Sequence, residues 1–227
     1  DVYSDGTRLI YSGRNSDISN NIQNAVASST TSYFATSTHE SFKYGDISNN
    51  IGTQVAVGGG TNTISYSTDD GITWTGLGQT IFSTTGNKVY NNNNTWIAVG
   101  EGTTNTLAVS NDGINWTGKG LIFSDAGYDI HYYGNRWIAV GNDSTKTKCI
   151  AYSDDNGSTW SNPASVVFDG MGRCVNYICG KWYAGGENST YVLAYSDDGI
   201  TWTSSNQPNY SQLTSPRGIA GNANLIY

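Results

Sequence analysis

The sequence is poor in the features that mark helices, membrane spans and metal sites. Only 13 % of the 227 residues are charged, and there are three prolines and three cysteines. No segment approaches the roughly 20 consecutive apolar residues that a membrane-spanning helix needs, and no window places apolar residues at helical spacing. Without a Cys-x-x-Cys motif or a cluster of histidines and cysteines, neither a metal nor another cofactor is expected.

Positive charge is also scarce. The formal net charge is −7, and lysines and arginines form no run. Nucleic acid is therefore not an expected partner, because phosphate binding needs a concentrated positive field. Of the three cysteines, Cys149, Cys174 and Cys179, at least one is unpaired. Cys174 and Cys179 flank a predicted hairpin, and both a disulfide between them and two free thiols stay open.

What the sequence does contain is a repeat. Short segments rich in Val, Ile, Thr, Tyr and Trp alternate with Gly and Asn clusters, which is typical of strands and turns. Within this pattern, a serine followed two places later by an aspartate recurs at intervals of 43 residues, at Ser67, Ser110, Ser153 and Ser196. A fixed period of this length indicates a solenoid, a propeller or an array.

A second motif has the same period. Thr-Trp-Ile-Ala-Val-Gly at 95–100 corresponds to Arg-Trp-Ile-Ala-Val-Gly at 136–141 and to Lys-Trp-Tyr-Ala-Gly-Gly at 181–186. One repeat is therefore predicted to hold four strands, A to D, which in the third repeat are 87–91, 95–100, 105–110 and 115–118. Four antiparallel strands in about 43 residues are one blade of a β-propeller, and the serine–aspartate segment is the C–D turn.

The serine–aspartate segments resemble the Asp box, also called the bacterial neuraminidase repeat. Segments 67–74 and 153–160 match its Ser-x-Asp-x-Gly-x-Thr-Trp pattern in full, whereas 110–116 and 196–202 are one residue shorter. The resemblance implies an all-β, sialidase-like β-propeller. It does not imply sialidase activity, because in the sialidases the box lies away from the active site.

The residue types of the box suit a turn. Ser and Asp side chains accept local N–H groups, Gly adopts a positive φ, and Trp packs between blades. Turn capping is therefore preferred to calcium binding, although several boxes hold paired aspartates. The predicted structural residues are Ser67, Asp69, Gly71, Trp74, Ser110, Asp112, Gly113, Trp116, Ser153, Asp155, Gly157, Trp160, Ser196, Asp198, Gly199 and Trp202.

The repeat phase also sets the expected number of blades. Leu9 and Leu225 occupy the same phase five periods apart, so five repeats and a surplus hairpin are expected in one domain, 1–227. A closed five-bladed ring is favoured. Six blades, a truncated longer chain, or a strand exchanged with another chain remain alternatives, because an open sheet edge invites pairing. The predicted boundaries are 1–38, 39–84, 85–126, 127–170, 171–216 and, for the hairpin, 217–227.

The candidate ligand face is the one formed by the B–C and D–A loops, by analogy with other propellers. Arg14, Glu101, Asn142 and Glu187 follow strand B at this face, whereas Lys88, Asp129, Arg173 and Arg217 precede strand A. All seven tryptophans are accounted for by the two motifs, so the aromatic candidates are Tyr128, Tyr191 and Tyr210. His131 is expected to line the central channel.

These features favour a non-catalytic recognition or structural propeller that binds carbohydrate or protein in a lectin-like manner. One alternative is a sialidase-like glycosidase with a reduced site, for which only Arg14, Arg173 and Arg217 are on the correct face. Another is an assembly scaffold without a small ligand. No catalytic residue is assigned. The low lysine content and the Asn-, Ser- and Thr-rich surface favour an extracellular setting or a virus or phage particle.

Overall fold

All regular structure in the described part of the chain is β-strand. The computed structural model describes residues 2–4, 9–11, 46–50, 52–145, 148–165, 167–187, 192–205, 216–222 and 225–226. Over these ranges, no helix is present that has the length and apolar character for crossing a membrane.

Nineteen strands occur in these ranges, nearly all of them two to seven residues long. In chain order they are β1 Val2–Ser4, β2 Leu9–Tyr11, β3 Asp46–Asn50, β4 Thr53–Val57, β5 Ile64–Ser67, β6 Thr75–Gly76, β7 Thr85–Asn91, β8 Trp96–Glu101, β9 Leu107–Ser110, β10 Thr117–Gly118, β11 Ala126–Tyr133, β12 Arg136–Asn142, β13 Ile150–Ser153, β14 Gly172–Ile178, β15 Lys181–Gly186, β16 Leu193–Ser196, β17 Thr203–Ser204, β18 Gly221–Asn222 and β19 Leu225–Ile226.

The strands form successive antiparallel units in which each strand pairs with the next along the chain. The first unit is β3–β6, the second β7–β10 and the fourth β14–β17. The third unit is β11–β13, with an isolated bridge between Tyr152 and Ser161 in the place of a fourth strand. A single pair, Ala126 and Glu101, links β8 to β11. Two further hairpins, β1–β2 and β18–β19, are described by their backbone pairing.

The first strands of the units lie side by side without forming a common ladder. β7 contacts β3 and β11, and β11 contacts β14. Side-chain-to-backbone hydrogen bonds connect them: the Asn87 amide donates to the Gly127 carbonyl at 2.8 Å, and the Val175 N–H donates to Asp129 at 2.8 Å. The first strands are therefore the common inner element around which the units are arranged.

The second strand of each unit forms the core. In β8, every residue from Trp96 to Gly100 is buried, and β12 is similar. Strands that are buried on both faces carry continuous apolar runs rather than an alternating pattern. A phenylalanine from the loop before each inner strand closes this core. Phe82, Phe123 and Phe168 have no exposed surface. Each ring packs against the glycine that ends the second-strand motif, so closely that a Cβ on that glycine would lie less than 3 Å from the ring. The glycines are Gly100, Gly141 and Gly186.

The serine–aspartate segments form capped turns between the third and fourth strands. In the first unit, the Ser67 hydroxyl donates to Asp69 at 2.8 Å and accepts the Gly71 N–H at 2.8 Å. Asp69 accepts both the N–H and the hydroxyl of Thr73, and the Trp74 indole donates to the Gly71 carbonyl at 3.2 Å. The other three turns repeat the serine–aspartate, serine–glycine and tryptophan–glycine bonds.

These hydrogen bonds favour the charged form of the aspartates. The Thr73 hydroxyl is the largest influence that holds the pKa of Asp69 at about 2, and Thr159 has the same effect on the pKa of Asp155. The turns are therefore expected to lose stability as the pH falls from about 4 toward 2, when the carboxylates must take up protons.

The turn glycines also join neighbouring units. Gly113 has φ +75°, and a Cβ there would lie 2.9 Å from Val55 and 3.2 Å from Trp96. In the next two units, a Cβ on Gly157 would lie 2.6 Å from Ile97, and a Cβ on Gly199 would lie 2.6 Å from Ile138. These three turns therefore pack on the second strand of the preceding unit. Gly113 also contacts Trp96, which lies in the second strand of its own unit. Glycine is required for the backbone conformation and for the close approach.

The structure refines two expectations. The third strand begins two residues later than predicted, at Leu107. The fourth also begins two residues later, at Thr117, because Asn115 and Trp116 belong to the capped turn. All three cysteines are free thiols, with Cys149 and Cys174 buried and Cys179 exposed. Cys174 and Cys179 lie at opposite ends of an extended strand, farther apart than a disulfide can bridge. Repeat 1–38 falls mostly outside the described residues, and the blade number stays a prediction.

Gly113→Ala is expected to destabilise the protein more than Gly120→Ala. Both glycines have a similar positive φ, +75° and +78°, but a Cβ at 120 meets open space. The control therefore carries only the backbone cost of about 1 kcal/mol, whereas Gly113→Ala adds roughly 1–3 kcal/mol of overpacking. Urea denaturation measures both, and equal midpoints for the two variants would contradict the unit-to-unit packing.

Ser153→Ala is expected to reduce the free energy of unfolding by about 1–3 kcal/mol, because it leaves the buried Gly157 N–H without its acceptor. The control is Ser158→Ala, an exposed position in the same turn, for which a change within about 0.5 kcal/mol is expected. If Ser153→Ala has the midpoint of the wild type in chemical denaturation, the serine does not cap this turn.

Candidate functional site

A cavity of about 570 Å³ opens along the inner strands. Its walls are β7, β11, β14 and the segment 216–220, which follows β14 as the next inner element. Asn176 donates to the Ile219 carbonyl at 3.1 Å, and the Cys174 thiol contacts the Pro216 carbonyl at 3.6 Å. The polar and aromatic lining consists of Lys88, Tyr90, Tyr128, Asp129, His131, Arg173, Cys174, Asn176 and Arg217.

A β-bulge near the start of each of the three strands in the cavity wall, β7, β11 and β14, aims these side chains. The register shifts between Gly86 and Lys88, between Gly127 and Asp129, and between Gly172 and Cys174. A Cβ on Gly86 or Gly172 would lie 2.6 or 2.5 Å from a backbone carbonyl of the preceding unit, so only glycine fits there. A bulge re-aims the residues that follow it, and here it presents Lys88 and Asp129 to the cavity.

Asp129 is the carboxylate within the cavity. Its two oxygens accept the N–H groups of Ile130 at 2.9 Å and of Val175 at 2.8 Å. Burial raises the pKa of Asp129 to about 6, against the opposing effects of Lys88 and of the two hydrogen bonds. The group is therefore mostly ionised at pH 7 and takes up a proton in mild acid.

His131 lies two residues farther along β11 and is neutral at pH 7. Its ring meets the Tyr90 ring edge to face at 5.0 Å and the Trp182 ring at 5.9 Å. Burial lowers the pKa of His131 to about 4, and Lys88 acts in the same direction. The expectation that His131 lines the channel agrees with its place in the cavity wall.

Arg173 is already engaged by protein groups. Its Nε and Nη2 donate to Glu187 at 2.9 and 2.6 Å, and its guanidinium lies 4.6 Å from the centre of the Tyr128 ring. Glu187 therefore balances the charge of Arg173, and one face of Tyr128 is covered. Arg217, in contrast, is exposed at the margin of the cavity.

The cavity has no activated thiol. Burial, and to a smaller extent the neighbouring charge of Asp129, raise the pKa of Cys174 to about 12. The thiol is neutral at physiological pH and is a poor nucleophile. Within the described ranges, no three His, Cys, Asp or Glu side chains are grouped in a way that would hold a metal ion.

The structure brings some of the predicted site residues together and separates others. Tyr128, Arg173 and Arg217 line the cavity, and Glu187 adjoins it through Arg173. Glu101 is exposed, and its backbone pairs with that of Thr85. The Asn142 amide donates to Asp125 at 2.9 Å. Neither residue lines the cavity. The predicted residues Arg14, Tyr191 and Tyr210 lie outside the described residues.

Sequence reasoning did not select Asn176 and Cys174 for this cavity. The signal was present in the repeat phase, because Asn176 corresponds to Tyr90 and His131, and Cys174 corresponds to Lys88 and Asp129, in the paired registers of the inner strands. Comparison of equivalent positions in the three inner strands therefore identifies both Cys174 and Asn176.

No protein-family model and no curated protein matches this chain. Among solved structures, it is similar to the computationally designed Ika8 protein, with a TM-score of 0.55 and 11 % identity over 80 % of this chain and 53 % of that chain. It is also similar to a crystal structure of a nidogen/laminin complex, with a TM-score of 0.57 and 9 % identity over 82 % of this chain and 71 % of that one. The chain spans about half the length of the designed protein, and the likenesses show the all-β fold alone.

Asp129 and His131 are expected to give opposite pH dependences of stability. The raised pKa of Asp129 makes the folded state bind more protons between about pH 4 and 6, so its contribution to stability falls as the pH rises. The lowered pKa of His131 makes the unfolded state bind more protons between about 4 and 6.5, so its contribution rises with pH.

Urea denaturation at pH 4.5 and at pH 7 separates the two. Stability should rise more with pH in Asp129→Asn than in the wild type, and less in His131→Gln, because each change removes one contribution. The same pH dependence in all three proteins would show that neither group is perturbed by its place in the cavity.

Proposed function

We propose that the chain is a β-propeller with repeats of the Asp-box type and that each four-stranded unit is one blade. The support is the recurrence of the same capped turn and the same inner strand in consecutive units. Five blades are favoured because the surplus hairpin β18–β19 has the phase of β1–β2. Six blades, or exchange of that hairpin with a second chain, remain the alternatives.

We infer further that this propeller is a non-catalytic carbohydrate-binding module and that its ligand occupies the inner-strand cavity. One observation carries this proposal: the inner strands and the segment 216–220 bring Lys88, Arg173 and Arg217 into one polar cavity in a chain of net charge −7. A volume of about 570 Å³ is in the range of small-molecule sites. The cavity lies toward the B–C and D–A loops, the face expected to bind ligands.

The charge around the cavity favours a sugar that carries a carboxylate or a sulfate. Among the described residues in and beside the cavity, the cations Lys88, Arg173 and Arg217 outnumber the carboxylates Asp129 and Glu187 by one, an excess of one positive charge. In mild acid, protonation of Asp129 increases that excess. Hydroxyl groups of the sugar find partners in Asn176 and Tyr128, while an exposed Arg217 provides the charged contact at the margin.

A glycosidase is the second candidate, and the raised pKa of Asp129 favours it because a perturbed carboxyl in a cleft is typical of an acid catalyst. Two contacts weigh against it. Both oxygens of Asp129 already accept backbone N–H groups, and Arg173 is neutralised by Glu187 instead of being held ready for a substrate carboxylate. Recognition without turnover is therefore preferred, in an extracellular or particle-borne setting.

Binding of sialylated, uronic-acid and sulfated glycans on an array, followed by calorimetric titration, tests this proposal. Arg217→Ala is expected to weaken binding about tenfold, since a charged hydrogen bond contributes roughly 1.5 kcal/mol or more, and Lys119→Ala is the charge-matched control outside the cavity. Binding should strengthen from pH 7 to pH 5 as Asp129 is protonated.

Two results would contradict the proposal. The first is that no anionic glycan binds, or that the two variants weaken binding equally. The second is turnover of a fluorogenic sialoside or another glycoside that Asp129→Asn abolishes, which would establish the glycosidase instead.

A further inference from the structure

A second cavity, of about 400 Å³, lies at the opposite end of the inner strands. It is formed between the third and fourth units by the β11–β12 turn, the end of β14 and two of the capped turns. We call it the turn-face pocket; its lining includes Tyr133, Asn135, Arg136, Asp154, Tyr177 and Asp197. The inner-strand cavity and this pocket have no lining residue in common.

One wall of the turn-face pocket is aromatic and rigid. The Tyr133 and Tyr177 rings stack at 3.5 Å with an angle of 13° between their planes. Tyr177 in turn meets the buried Trp182 edge to face at 5.2 Å. Tyr133 is 51 % exposed, and because Tyr177 covers one of its faces, the exposed surface is the outer face and the edge. The half-exposed Tyr133 ring in the pocket lining is therefore anchored to the core through Tyr177 and Trp182.

The other wall is polar, and its cationic side chains are paired. Arg136 donates to both oxygens of Asp154, at 2.7 and 2.8 Å, and to the Asp198 carbonyl. Lys181 donates to Asp197. The side chains of Asp154 and Asp197 remain 52 % and 76 % exposed. The wall therefore presents carboxylate lone pairs to the pocket, while its cationic groups are engaged by the protein.

The charges of this wall disfavour an anionic ligand. Arg136 and Lys181 are outnumbered by Asp154, Asp197 and Asp198, all of which lie in or beside the pocket. A ligand that suits such a wall donates hydrogen bonds and carries no negative charge. A cationic ligand is disfavoured as well, because Arg136 and Lys181 pair with Asp154 and Asp197 and would repel it.

The pocket is not a general feature of the repeat. In the second unit, Asn92 stands at the position of Tyr133 and Thr95 at the position of Arg136, as the paired registers of the hairpins show. The capped turns of the second and fourth units form without a tyrosine and an arginine at these positions. The repeat therefore does not require this combination of a half-exposed aromatic ring and an ion pair.

We propose that the turn-face pocket binds one residue of a neutral pyranose sugar. The apolar face of the sugar ring stacks on the outer face of Tyr133, and its hydroxyl groups donate to Asp154 and Asp197. A flat aromatic face beside acceptors matches a pyranose, which has an apolar face and a rim of hydroxyl donors. The concave shape and the volume suit a small ligand rather than a flat protein surface.

Titration with neutral sugars tests this site. The probes are the methyl glycosides of glucose, galactose, mannose and N-acetylglucosamine, followed by saturation-transfer NMR and by calorimetry. Tyr133→Ala is expected to weaken binding of the preferred sugar at least about tenfold through loss of the aromatic contact. Tyr133→Phe keeps the ring and is expected to stay within about threefold of the wild type.

Asp197→Asn gives an independent check, because it changes an exposed acceptor and leaves the aromatic stack in place; weaker sugar binding with an unchanged melting temperature is expected. The proposal is overturned if none of the four glycosides binds up to roughly 20 mM, or if Tyr133→Ala binds as tightly as the wild type. Arg217→Ala, which tests the inner-strand cavity, should not change neutral sugar binding, so failure at either site is recognised separately.

Discussion

The structure depends on the close contact between a turn glycine of one unit and the second strand of the unit before it. This contact needs a residue without a side chain, a backbone with positive φ, and a turn held in place by its own hydrogen bonds. The serine and aspartate meet the last condition by taking up the N–H groups of the reversing chain. Without the contact, the buried strands β4, β8 and β12 would each expose an apolar face, because a single four-stranded unit cannot cover both sides of its own sheet.

The arrangement that buries the second strands leaves the first strands at the centre, where they belong to different sheets and contact one another through side chains. Polar groups are tolerated there because backbone N–H groups of the neighbouring strand pair with them, as Val175 does with Asp129. The same burial that these contacts make acceptable also shifts the ionisation of Asp129 and His131 in opposite senses. The ionisation of the groups in the inner-strand cavity is therefore set by how the units pack.

The two pockets at opposite ends of the inner strands differ in charge. The inner-strand cavity collects Lys88, Arg173 and Arg217, whereas carboxylates outnumber cations around the turn-face pocket. Residues near the start of the inner strands line one cavity, and residues near the end of β11 and β14 line the other. The repeat can therefore carry two kinds of site without changing its core. Under the two binding proposals, a glycan that displays both acidic and neutral sugars would engage the chain through more than one contact.

The sequence by itself determined the local structure. The 43-residue period, the capped turns at Ser67, Ser110, Ser153 and Ser196, and the apolar second strands all follow from short-range patterns, and the inner-strand phase placed Tyr128, Arg173 and Arg217 on one face. Only the tertiary structure decided which of these groups meet. Arg173 pairs with Glu187 and Asn142 with Asp125, and Tyr133 stacks on Tyr177 across two units. These contacts join residues that are 14 to 44 positions apart, and their geometry is set by bulges and by the packing of one unit on the next, which no local pattern encodes.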